Sequence, residues 1–357
     1  MTEIFEGRSG SGHSCIALVA MDKFRGTASA RDLCSAVARA VKANNYTADL
    51  QPMSDGGEGF RDAFVGEEVL VEVPGPLGTP VEARITLKDS SSGRLAVLEI
   101  AEVVGRDQLI SPTRGDSLDA SSAGVGHLIL SAVALGATSI LIGCGGSATS
   151  DGGLGCYRVL RAAGGPAVPM SVATDVTARF SGLLRYAEQK GVHPDDLVVL
   201  EQRLEDVRAL YLEEQGLDVE LLERSGASGG IPAALAALGA VLTSGFDVVA
   251  RSVNLVERVR KSSLVVTGEG RLDAGSLEGK VTSGVASIVG DSAKLLVVCG
   301  SVDAEAAHAF VSHFPDAKIV SLEESFGETK SRTDVLDCVQ KIVSEEVGRL
   351  RSSEDTV

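Results

Sequence analysis

Ile16-Ala17-Leu18-Val19-Ala20 is an uninterrupted apolar run with no alternation of polar and apolar residues, the mark of a strand buried on both faces. Ala28–Ala43 follows, with Leu33, Val37 and Val41 at helical spacing and Thr27 or Ser29 placed to cap the start. A buried strand feeding an Ala-rich helix is the repeating unit of a parallel α/β sheet. The far end of the chain carries the same pattern. Leu264–Thr267, Lys294–Cys299 and Lys318–Ser321 read as strands, with helices near Thr282–Val289, Ala304–His313 and Arg332–Leu350. These pieces predict one α/β, doubly wound domain assembled from both ends of the chain.

The middle has another texture. Glu67–Val73, Val81–Leu87 and Leu95–Ile100 read as strands joined by Pro/Gly-rich turns, and such short connections favour antiparallel pairing. Helices are expected over Ala120–Gly136, Gly152–Ala163 and Asp195–Gln215, with a strand at Ser139–Gly143. The expected division is a discontinuous domain of residues 1–68 plus 255–357 and an inserted α/β domain of residues 69–254. The ligand site then belongs in the cleft between them.

Composition narrows the function. The 357 residues carry 49 acidic and 33 basic side chains, a net charge of -16, so nucleic acid and anionic membrane surfaces are excluded as partners. Trp is absent and Gly numbers 41, which points to backbone rather than aromatic contacts with a small ligand. The six cysteines show no C-x-x-C spacing and are expected to be reduced and buried. The start, Met1 to Cys15, lacks the charge pattern of a leader, and a cytoplasmic location is expected. The uncharged stretches Leu128–Ser150 and Ser225–Phe246 are broken by glycine and proline and read as core, not as membrane spans.

Glycine and acid recur together in Asp55–Gly59, Gly143–Gly153, Ser225–Gly230 and Gly268–Asp273. A ligand combining phosphate with a cation asks for both features, N–H donors for the one and carboxylate oxygens for the other. Standard motifs fail against these loops. Gly143-Cys144-Gly145-Gly146-Ser147-Ala148 fits G-x-G-x-x-A but lacks the ribose-binding acid about 20 residues on. Gly275-Ser276-Leu277-Glu278-Gly279-Lys280-Val281 is one residue short of a P-loop, and Val281 offers no hydroxyl to a metal. G-x-S-x-G and zinc spacings are missing, and His127 is expected to be packed.

The run Ile140–Gly153 resembles the central signature of the type I glycerate kinases, as do Met53–Gly59 and Val266–Asp273 continuing through Gly279-Lys280-Val281. Asp22–Gly26, Asp175-Val176-Thr177 and Gln189-Lys190-Gly191 are weaker matches in the same order. The resemblance implies a flavodoxin-like discontinuous domain with an α/β insertion. It also implies phosphorylation of D-glycerate by ATP with Mg²⁺, typically giving 2-phosphoglycerate. The chain departs from the family pattern at Arg25, at residues 123–127, at Ala178-Arg179 and at 224–226.

Phosphoryl transfer needs phosphate clamps, a metal site and a carboxylate to receive a proton. Asp151 is the first choice for the base and Asp55 the second, with Lys280 and Arg271 neutralising charge on the transferred group. Asp273, Asp55 and Glu58, with Asp175 weaker, are the metal candidates. Asp22, Arg25, Gly56, Gly57, Glu58, Gly59, Gly145, Gly146, Ser147, Thr149, Gly152, Gly268, Glu269 and Gly270 are the candidates for holding substrate or phosphate. A phosphometabolite sensor without turnover and a nicotinamide-dependent oxidoreductase are the competing readings. The oligomeric state is left open between monomer and homodimer.

Overall fold

The computed structural model describes residues 15–109, 113–277 and 280–352. The leader reading of residues 1–14 and Glu278-Gly279 of the Lys280 motif lie outside the described residues. The first sheet holds β1 (Ile16–Met21), β2 (Thr47–Leu50), β9 (Leu264–Leu272), β10 (Lys294–Val302) and β11 (Ala317–Ser321), all parallel, in the order β11-β10-β9-β1-β2. The second holds β3 (Glu67–Pro74), β4 (Pro80–Ser90), β5 (Gly93–Glu99), β6 (Ser139–Gly143), β7 (Met170–Thr174) and β8 (Val241–Ser244), in that order. Its first three strands pair antiparallel and the rest parallel.

The opening run decides the first sheet. Ala17, Val19 and Met21 face a core with Leu33, Val37, Val41, Val339 and Val343. Leu18 and Ala20 face the opposite core with Val281, Val285 and Val289. Both faces are covered by helices, which is why the run is apolar throughout. The helix Ala30–Ala43 starts at Ser29, whose hydroxyl accepts from the Asp32 N–H at 3.1 Å. Such a cap contributes about 1 kcal/mol.

The second core is not sealed off from the first. Val97, Leu141 and Ala173 of the second sheet join the first sheet's cluster through Phe60, Phe246 and Val249. Each fully buried aromatic or aliphatic side chain of this bridge contributes roughly 1.5–3 kcal/mol. The two sheets therefore share one continuous apolar body.

In the order of the first sheet the winding direction reverses between β1 and β9, so a crevice opens outside their carboxyl ends. Sequence reading ended the third strand at Thr267, whereas β9 runs on to Leu272 and pairs with β10 through Val302. Gly268-Glu269-Gly270-Arg271 is thus an extended strand rather than a loop. Gly268 permits that pairing, since a Cβ there would sit 1.8 Å from the Val298 carbonyl oxygen. Thr47–Leu50, Met170–Thr174 and Val241–Ser244 were too short and mixed to be read as strands. Residues 225–237 are almost wholly buried, whereas Gly239 and Val241 beyond them are exposed, and no described helix is long and apolar enough to cross a membrane. His127 is exposed, which corrects the expectation that it packs. Five cysteines are buried and Cys15 partly so.

Candidate active site

The crevice is a cavity of about 740 Å³ bordered by loops from both sheets. Two glycine loops meet in its wall. A Cβ on Gly145 would sit 2.4 Å from the Gly57 Cα, so the loops after β2 and β6 touch only because both are bare there. Gly56, at φ +101°, turns the chain so that Asp55 borders the cavity.

Asp22 and Asp55 flank the Lys23 ammonium, with Glu269 near Asp22 and Asp175 near Asp55. Lys23 Nζ lies 3.9 Å from Asp22 Oδ1 and 3.7 Å from Asp55 Oδ1. Asp55 Oδ1 also accepts from the Gly57 N–H at 3.2 Å. Burial, with the neighbouring Asp55 and Glu269 charges, pushes Asp22 up to about 7 against the pull of Lys23. Burial pushes Glu269 up to about 7 despite nearby Thr282 and Ser276 hydroxyls and Lys280. Its Oε1 has no hydrogen-bond partner. Asp175 is raised to about 6 by the protein around it and by Asp55, although it is exposed at the wall and water screens part of that effect. Lys23 is held above the ordinary lysine value by Asp22 and Asp55, which outweigh its own burial. A cluster of this kind favours either shared protons or an added cation.

The basic residues Arg25, Arg271 and Lys280 border the same cavity, together with Glu58, Gly146, Ser147, Gly270 and Asp273. Lys280 stands at the first position before the helix Val281–Val289. Asp273 is partly engaged, since its Oδ1 accepts from the Gly275 N–H at 3.0 Å.

Several expected site residues stand elsewhere. Asp151 does not border the cavity. Its Oδ2 accepts from Ser122 N–H (2.9 Å), Ser122 Oγ (2.8 Å) and Gly155 N–H (3.1 Å), and its Oδ1 from Gly153 N–H (3.0 Å). The carboxylate is spent on tying the helix Leu154–Ala162 to the helix Ala123–Ala134, which corrects its reading as a cavity base. Gly59 donates to Glu99 Oε1 at 2.8 Å, and Gly152 accepts from the Tyr211 hydroxyl at 2.9 Å. Both shape turns, as does Gly56. Thr149 is buried behind the wall and Gly268 lies inside the sheet. Among the residues given no role in the sequence reading that do border the cavity are the two lysines Lys23 and Lys190. Both sit in the weaker matches, Asp22–Gly26 and Gln189-Lys190-Gly191, where the signal was present but short.

Comparison with known proteins assigns the family. The model of the Glycerate kinase family matches residues 17–166 and 164–337. The chain belongs to the glycerate kinase family. It is therefore an enzyme that transfers phosphoryl groups. It is 34% identical over 313 residues to the glycerate 2-kinase of Escherichia coli, covering 76% of this chain and 81% of that one. The glycerate kinase of Halalkalibacterium halodurans is 31% identical over 363 residues, covering 88% and 94%. A crystal structure assigned to glycerate kinase 2 of Salmonella typhimurium LT2 superposes with a TM-score of 0.76 at 26% identity, covering 96% of this chain and all of that one. The family's fold is thus the one seen here, α/β with a largely parallel sheet in each half.

Proposed function

We propose that the chain transfers the γ-phosphoryl group of ATP to D-glycerate, forming 2-phosphoglycerate. The observation that supports this best is the convergence of strand ends and glycine loops from both sheets on one cavity, with carboxyls and cations on its walls. The boundaries 1–68 plus 255–357 and 69–254 make that cavity an interdomain cleft.

Phosphoryl transfer asks the protein mainly for position and charge. Arg25, Arg271 and Lys280 are placed to neutralise phosphate oxygens, and the Gly145 and Gly146 loop offers backbone close to the ligand. Asp55 becomes the first choice to receive the acceptor hydroxyl's proton, because it borders the cavity while Asp151 does not. Among the described residues no three acidic, His or Cys side chains are close enough to hold a metal alone. That fits magnesium, which needs only one or two carboxylates when phosphates complete its shell. Asp22 and Asp175, whose crowding already favours an added cation, would hold it. Bound Mg²⁺ would supply charge neutralisation on the transferring group.

A coupled ADP assay against small hydroxy acids, with the phosphorylated carbon located by phosphorus NMR, tests the reading. ADP release that requires both D-glycerate and Mg²⁺ is expected, with the phosphorus signal on carbon 2. Well-folded protein that releases no ADP in the presence of glycerate overturns it. A sensor would bind without turnover.

A further inference from the structure

The cations of the cavity fall into two groups. At its β1–β9 end Lys23, Arg25, Arg271 and Lys280 stand among Asp22, Asp55 and Glu269, so positive charge there is offset by neighbouring acids. The other wall, beside the loop after β6, holds Lys190 and Arg106. Lys190 Nζ donates to Ser147 Oγ at 3.0 Å and to the Thr149 carbonyl at 2.8 Å. An ammonium has three donors, so one remains unspent. Neither Lys190 nor Arg106 forms an ion pair among the described residues. In a chain of net charge -16, two adjacent unpaired cations on a cavity wall call for an anion from outside.

We infer that Lys190, seconded by Arg106 and the Ser147 hydroxyl, is the seat of the acceptor's carboxylate and the residue that selects acidic over neutral alcohols. The inference rests on the acceptor named above. A part-buried ammonium left unpaired by a neutral alcohol costs more than the bare loss of one contact, which makes the site discriminating. Burial and Arg106 pull Lys190 down to about 8, with Asp151 opposing them. The seat therefore loses its charge as pH rises through that value. Arg106 is exposed and contributes less.

The experiment compares wild type, Lys190→Met and Lys190→Arg in the full chain, using turnover and calorimetric binding of D-glycerate, its neutral amide and ATP. Lys190→Met is expected to raise KM for D-glycerate ~100-fold, to leave KM for ATP within about twofold, and to erase the preference over the amide. In wild type KM for D-glycerate should climb above pH 8, and Lys190→Arg should flatten that rise. If Lys190→Met does not fold, the last two measurements decide alone. An unchanged glycerate KM, a raised ATP KM instead, or a pH rise that persists in Lys190→Arg overturns the seat while leaving the kinase reading standing. Wild type that binds D-glycerate through Lys190 without turnover sinks the kinase reading and upholds the seat. Wild type that neither binds nor turns over D-glycerate overturns both.

Discussion

The loops at Asp55 and Asp151 carry the same Asp-Gly-Gly triplet and the same local turn, each aspartate accepting from the N–H two residues on, at 3.2 and 3.0 Å. Beyond that turn they diverge. Asp151 finds Ser122 and Gly155 around its second oxygen and becomes a fastening between two helices. Asp55 finds Lys23 and open cavity. The difference lies not in the triplet but in what the fold brings opposite it. A carboxylate already accepting four hydrogen bonds has little left to offer a proton or a metal.

Substitution separates the two loops. Asp55→Asn should cut kcat by roughly 10³-fold, as expected for loss of a proton acceptor, with the thermal melt nearly unchanged. Steady-state kinetics beside calorimetry check this, and retained turnover would break the contrast. Asp151→Ala should act the other way. It leaves three N–H groups and a hydroxyl without their acceptor, costing about 2–4 kcal/mol in urea unfolding. Folded Asp151→Ala should keep kcat within a few-fold; a large loss would return Asp151 to the reaction.

Gly145→Ala tests the contact between the two halves. With the Gly57 Cα 2.4 Å from the new Cβ, one loop must move, costing on the order of 1–3 kcal/mol. KM for at least one substrate should rise with it. The last effect concerns charge beside Asp22. Glu269 has its folded value raised to about 7 from an ordinary 4.5, so its proton is bound more tightly in the folded state. The resulting stability is complete below about pH 4.5 and is lost as pH rises through 7. Glu269→Gln should therefore flatten the decline between pH 5 and 8 by roughly 2–3 kcal/mol. Melting curves across that range, without ligand, would show it. A wild-type melt independent of pH would deny that the carboxyl is crowded.

The parallel strands with apolar faces on both sides were legible because burial on two faces leaves a distinctive run, as in Ile16–Ala20 and Lys294–Cys299. The antiparallel β3–β5 meander was legible from its turns. Thr47–Leu50 escaped because it lies at the sheet's edge, half exposed and without an apolar pattern. The continuation of β9 through Gly268–Leu272 escaped because glycine in sequence signals a turn, whereas here it permits close strand pairing. At the site, the loops were legible as glycine-and-acid clusters, and Asp22, Asp55, Glu269, Arg271 and Lys280 do border one cavity. Which acid faces the cavity was not, since Asp151 is disarmed by Ser122, 29 residues away. Lys190 was missed as a site residue because its partners, Ser147 and Thr149, lie 43 and 41 residues back along the chain.

The sheet drawn from both termini also sets a schedule for synthesis. Ala20, in β1, accepts a hydrogen bond from Thr267, in β9, across 247 residues. At roughly 5–20 residues per second on the ribosome, β1 waits on the order of 10–50 seconds for its central neighbour to emerge. During that interval a fully apolar strand has no permanent partner on one edge, while β3–β8 are already available to collapse by themselves. The stretch made last thus determines when the sheet begun first can close. Newly made chains should be most prone to aggregation, and most in need of chaperones, just before residue 264 leaves the exit tunnel.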